Sequence, residues 1–130
     1  MLGSTEDAFE VWWFSKNIVF FAAGAIILAP LLETLFFQYL PLKICQSWLR
    51  KYRYSFCTTI VIASIVFAAM HKSEISYFVA VFLAGLAWGF SCFVLMRKKR
   101  HPILYTTLMH ACYNGVLIIS VLTLYRFDLL

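Results

Sequence analysis

Four runs of apolar residues, at positions 17–42, 56–71, 75–96 and 102–125, constrain this chain more than anything else in its sequence. About 20 apolar residues make a helix long enough to cross the hydrocarbon core of a bilayer. Three of the runs meet that length and the second is short. In hydrocarbon the backbone has no water to bond, so a crossing segment must satisfy its N–H and C=O groups internally, as a helix does. The expected fold is all-α: a polytopic transmembrane bundle of about four helices. Composition leaves little room for a soluble alternative. The chain is 63% hydrophobic and 13% charged over 130 residues, against about 45–50% and about 25% in soluble domains. A soluble core of this size has no way to hide so much apolar surface.

The chain divides into an N-terminal interfacial segment at 1–16, a four-helix core at 17–125 and a short tail at 126–130. No internal repeat is evident, and the acidic start, MLGSTEDAFE, does not resemble a cleaved signal peptide. Lys43, Arg50, Lys51 and Arg53 follow the first run, and Arg97, Lys98, Lys99 and Arg100 follow the third. These four and four are eight of the eleven Lys and Arg residues. With four crossings both groups fall on one side. The positive-inside rule then places the loops 43–55 and 97–101 in the cytoplasm. The expected setting is a multi-pass protein of a bacterial cytoplasmic membrane, with Glu6, Asp7 and Glu10 outside. Trp12, Trp13 and Phe14 suit the outer aromatic belt, and Trp48, Tyr52 and Tyr54 the inner one. Cys45, Cys57, Cys92 and Cys112 form no C-x-x-C pair and read as free thiols. The stretch GLAWG, with Gly85 and Gly89, suggests a close helix crossing, within the chain or with another copy.

Polar residues stand out against this background. Glu33 is the one carboxylate well inside a run. The stretch TLMHACYNG places His110 and Asn114 four residues apart, on one helix face. His71 ends the second run, with Phe67 one turn earlier. Pro30 removes a backbone donor just before Glu33 and is able to kink the helix. A lone intramembrane His or Asn often bonds a neighbouring helix and does nothing more. Four such residues on three runs are harder to explain that way, because intramembrane ionisable groups usually face a cavity and mark a pathway or a reaction site. One Glu with two His is also a set able to activate water: a base, a second proton or metal partner, and a donor for an oxyanion. At a rise of about 1.5 Å per residue, Glu33 lies about 13 Å and His110 about 12 Å from the inner ends of their runs, so the two are able to meet. His71 lies about 22 Å up the second run by the same rise, and joins them only if that helix is tilted or sunk inward. His101, beside the basic run, reads as interfacial.

The order of the stretches APLLETLFFQ, FAAMH and HACYN resembles the CPBP family of intramembrane proteases, which includes the CAAX-prenyl proteases and the bacteriocin-processing or immunity-associated (Abi) proteins. The family pattern is E-E-x-x-x-R, then F-x-x-x-H, then H-x-x-x-N. The matching positions are Glu33-Thr34 with Gln38, Phe67 with His71, and His110 with Asn114, over about 29–114 of the chain. The resemblance implies peptide-bond hydrolysis in the membrane. Glu33 would activate water with the help of His71, and His110 and Asn114 would hold the oxyanion or orient the carbonyl. The family has also been described as metalloproteases. On that description Glu33, His71 and His110 would be zinc ligands, since carboxylate and imidazole are good zinc donors and an amide is poor. The metal-free scheme is the expectation here, as no H-E-x-x-H is present. Thr34 and Gln38 depart from the family's second Glu and its Arg. In a regular helix the two positions face each other, so a neutral, hydrogen-bonded pair is expected where the family has an ion pair, supporting the helix as Phe67 does.

Two other functions are compatible with these residues. A non-catalytic membrane module of the same fold would act as an immunity factor or partner-binding scaffold, and a small transporter would use Glu33 and the histidines as a proton relay. The intact set of four polar residues argues against the scaffold, and the lack of internal repeats against the transporter. The expected partners are the lipid bilayer and a peptide or membrane-protein substrate, with no nucleic acid. The sequence leaves the oligomeric state open.

Overall fold

The computed structural model describes residues 17, 20, 22–48, 55–71 and 74–127, and among them every regular element is a helix. Helix α1 spans Gly24–Trp48, α2 Ser55–Met70, α3 Ile75–Arg97 and α4 Pro102–Arg126. The first, the third and the Pro102–Leu124 part of the fourth are long and apolar enough to cross a membrane. Helix α2 has only 16 residues, about 24 Å of rise, so it is a shorter apolar helix beside three full spans. One of its C-terminal carbonyls is satisfied locally: His71 N–H donates to Ala68 O at 3.1 Å. The interfacial segment 1–16 with Trp12, Trp13 and Phe14, the loop residues Arg50, Lys51, Tyr52, Arg53 and Tyr54, and residues 128–130 lie outside the described residues.

Helix α1 is not a uniform α-helix, and its two prolines explain why. A proline ring inside an α-helix clashes with the carbonyl four residues back. Ahead of Pro30 the chain widens into a π-helical stretch, Gly24–Leu28, with Ala29 N–H donating to Gly24 O. A second stretch, Thr34–Tyr39, widens ahead of Pro41, with Leu40 N–H donating to Leu35 O. Each wide turn makes room for the ring that follows it. Such insertions are frequent at functional sites, and the ordinary helical turn between them, Ala29–Glu33, ends on Glu33.

Because the wide turns absorb Pro41, α1 does not stop at residue 42, where the apolar run ends, but continues to Trp48. This changes the depth of the site. From Glu33 to Trp48 is 15 residues and from Ser55 to His71 is 16, about 22 and 24 Å of helix. His71 therefore rises to the level of Glu33 without a sunken second helix.

The interior is small, and much of it is polar. On α1, Pro30, Thr34, Gln38, Leu42 and Cys45 form the buried stripe. One apolar cluster joins Phe67, Ala68, Val81 and Trp88, and another joins Leu42, Ile60 and Cys92. The outward faces carry Ile62, Ile65, Leu83, Phe90, Val116 and Ile119, all exposed, as suits helices whose solvent is lipid. Among the described residues all four cysteines are free thiols.

The G-x-x-x-G of α3 is used inside the chain, against α2. A Cβ on Gly89 would lie 2.9 Å from Ile60 Cγ2, and one on Gly85 3.2 Å from Ser64 Cβ. Small residues let the backbones approach, which in lipid is a main source of helix association. Gly89→Val is expected to lower the thermal midpoint of the purified protein by the equivalent of about 1–3 kcal/mol of overpacking. Gly24→Ala should leave the midpoint unchanged, because nothing lies within 4 Å of its Cβ position. Equal midpoints for the two variants would contradict the packing assigned to α2 and α3.

Candidate active site

Side chains from three helices and a wall of α3 enclose one cavity of about 310 Å³. Glu33 enters from α1, Phe67 and His71 from the end of α2, and His110, Tyr113, Asn114 and Leu117 from α4. Tyr77, Ala80, Val81, Ala84 and Trp88 of α3 close it. Glu33 is at the centre. Its Oε2 lies 3.3 Å from His110 Nε2, and its Oε1 lies 4.0 Å from His71 Nε2. The Glu33 and His71 side chains keep 24% and 28% of their surface open to this space, whereas His110 keeps 3%.

Each histidine is held differently. His71 Nδ1 is 2.8 Å from the Phe67 carbonyl oxygen. A carbonyl only accepts, so Nδ1 carries a proton, and Nε2 is the ring nitrogen turned toward Glu33. The helix-end carbonyl thus sets the tautomer of His71. His110 Nδ1 is buried and has no hydrogen-bond partner among the described residues. Its ring is fixed by aromatic contact instead: Trp88 stacks on it, with ring centroids 3.6 Å apart and planes 22° apart, and Phe67 presents an edge at 6.1 Å. Phe67 also meets His71 edge-on at 4.7 Å, so a single buried ring wedges both imidazoles.

Asn114 lines the cavity, but one of its amide hydrogens is committed: Nδ2 donates to the Ala25 carbonyl at 2.9 Å. The local interhelical bond that the sequence allows for an intramembrane Asn is therefore present alongside its place in the site.

Thr34 and Gln38 depart from expectation. Both are buried, at 0% and 3% exposure, but no hydrogen bond joins them. Thr34 Oγ1 and Gln38 Oε1 have no partner among the described residues. Both stand on the buried stripe of α1, within the widened stretch Thr34–Tyr39.

Trp88, Tyr77, Tyr113 and the Ala25 carbonyl belong to the site without having been singled out by sequence. The α3 residues do carry a signal. Tyr77, Val81, Ala84 and Trp88 recur at helical spacing and put an aromatic at each end of a row of smaller side chains. A backbone carbonyl leaves no such trace. Among the described residues no group of three His, Cys, Asp or Glu side chains is disposed to hold a metal ion.

Fold and site together define a helical integral membrane protein whose glutamate–histidine centre is enclosed between its spans. The family model of the type II CAAX prenyl endopeptidases, Rce1-like, matches residues 15–116 of the 130. The chain belongs to that family of intramembrane proteases, in line with the CPBP resemblance of its three motifs. No curated protein and no solved structure matches it.

Proposed function

We propose that the chain is an endopeptidase that hydrolyses a membrane-presented peptide bond with a water activated by Glu33, without a metal. One observation carries this reading: the Glu33 carboxylate faces His71 and His110 at once, across a cavity that reaches both Glu33 and His71. The 4.0 Å between Glu33 Oε1 and His71 Nε2 is too long for a direct hydrogen bond and suits a water shared by two acceptors. That water gives one proton to Glu33 as its oxygen attacks the substrate carbonyl carbon. Glu33 then returns the proton to the amine nitrogen as the C–N bond breaks. His110, on the other carboxylate oxygen, holds Glu33 in place for both transfers. The basic segments 43–55 and 97–101 face the cytoplasm in this reading, and the substrate reaches the cavity from the bilayer. A prenylated C-a-a-X peptide is the family's substrate and the first probe to use.

Purified protein in proteoliposomes is expected to cleave a farnesylated C-a-a-X peptide and to keep that activity after exhaustive chelation. Activity lost on chelation and restored by zinc would replace this scheme with one in which Glu33, His71 and His110 rearrange around the metal. Intact peptide after prolonged incubation, prenylated or not, would favour the non-catalytic scaffold.

A further inference from the structure

The wide turn at the start of α1 leaves one backbone carbonyl without an intrahelical donor. Ala29 N–H reaches back five residues to Gly24 O. The next rung of that ladder would join residue 30 to the Ala25 carbonyl, but residue 30 is proline and has no N–H. The Ala25 carbonyl accepts from Asn114 Nδ2 on α4 instead. A bare carbonyl in hydrocarbon is costly, and a neighbouring helix that supplies the missing donor is held to it.

This bond lies eight residues before Glu33 on α1 and four residues after His110 on α4. The same two helices carry the Glu33–His110 contact of 3.3 Å. Ala25 with Asn114 and Glu33 with His110 are two tie points along one antiparallel helix pair, and two points fix its register. Trp88 holds the His110 ring in its plane, and the register of α4 decides where that ring stands against Glu33.

We propose that Pro30 and Asn114 form one positioning device: the proline withholds a donor from the Ala25 carbonyl, Asn114 supplies it, and the resulting bond sets the register of α4 that places His110 on Glu33. This rests on the reading of Glu33 and His110 as parts of the water-activating centre. Asn114 is then a positioning residue whose effect depends on the residue at 30. An Asn114 that acted only on the substrate would be indifferent to it.

A double-mutant cycle separates the two, since coupled residues give non-additive losses. The proteins are wild type, Pro30→Ala, Asn114→Ala and the double variant, each full-length in proteoliposomes. They are read by thermal midpoint and by kcat and KM on a farnesylated C-a-a-X peptide. With Pro30 present, Asn114→Ala should lower kcat by about 100-fold, the size of a misplacement near 1 Å, while KM moves little. In the Pro30→Ala background the new N–H at position 30 takes the Ala25 carbonyl, and the same change should cost less than about 10-fold. The midpoint should show the same pattern, with a drop on Asn114→Ala that shrinks once Pro30→Ala is in place. Asn114→Leu, nearly isosteric and without a donor, runs the cycle again if the alanine variant is too loose to purify. Equal losses in both backgrounds, in kcat and in midpoint, would overturn the proposal. If wild type cleaves no peptide, the midpoints still decide. Coupled midpoints would keep the register device while the protease reading fails, and additive midpoints would remove the device.

Discussion

Glu33→Gln is expected to abolish peptide cleavage while leaving a folded protein in the membrane. The amide keeps the shape of the carboxylate and still bonds the histidine that faces Oε2 at 3.3 Å, but it no longer takes a proton from water. A positioned general base contributes about 10² to 10⁴-fold, and here the same carboxylate also locates the nucleophile, so the loss should reach the upper end or beyond. The thermal midpoint should hold or rise, because the variant removes a carboxylate from a membrane interior without removing a partner. Rates for Glu33→Gln within about tenfold of wild type would assign water activation to another group.

The second large effect is expected at His71. His71→Ala removes the acceptor that faces Glu33 Oε1 and frees the Phe67 carbonyl that oriented it. A loss of about 10² to 10⁴-fold in kcat should follow, as for a residue that shares in handling the proton. His71→Gln can still donate to the Phe67 carbonyl but offers no basic nitrogen. It should restore the thermal midpoint and not the rate. Recovery of both by glutamine would make His71 a structural cap of α2 with no part in the chemistry.

Much of this site is legible in the sequence because polar groups in lipid are expensive. Glu33 cannot reach an interface from its depth, and His110 and Asn114 share a face, so partners between the helices are required. That reasoning brings Glu33 and His110 together and leaves His71 to the depth of its helix; the structure places all three around one cavity. It fails where backbone geometry decides. The apolar run ends at residue 42, but wide helical turns carry α1 past Pro41 to Trp48, and that extra length is what puts His71 level with Glu33. The buried Thr34 and Gln38, which the helix rule pairs, make no hydrogen bond to each other. Asn114 finds its partner in the Ala25 carbonyl, which no side-chain motif reveals. Trp88 is hidden for a different reason. In GLAWG the glycines draw attention to the α2 contact, yet the tryptophan between them points to His110.

Water activation by Glu33 requires that the water it holds becomes part of the product. Cleavage of a farnesylated C-a-a-X peptide in water enriched with the heavy oxygen isotope, limited to one turnover and read by mass spectrometry, tests this directly. Wild type should place one heavy oxygen in the new carboxylate, and Glu33→Gln should give no labelled product on the same timescale. Labelled product formed by Glu33→Gln at the wild-type rate, or cleavage by wild type without label, would contradict it.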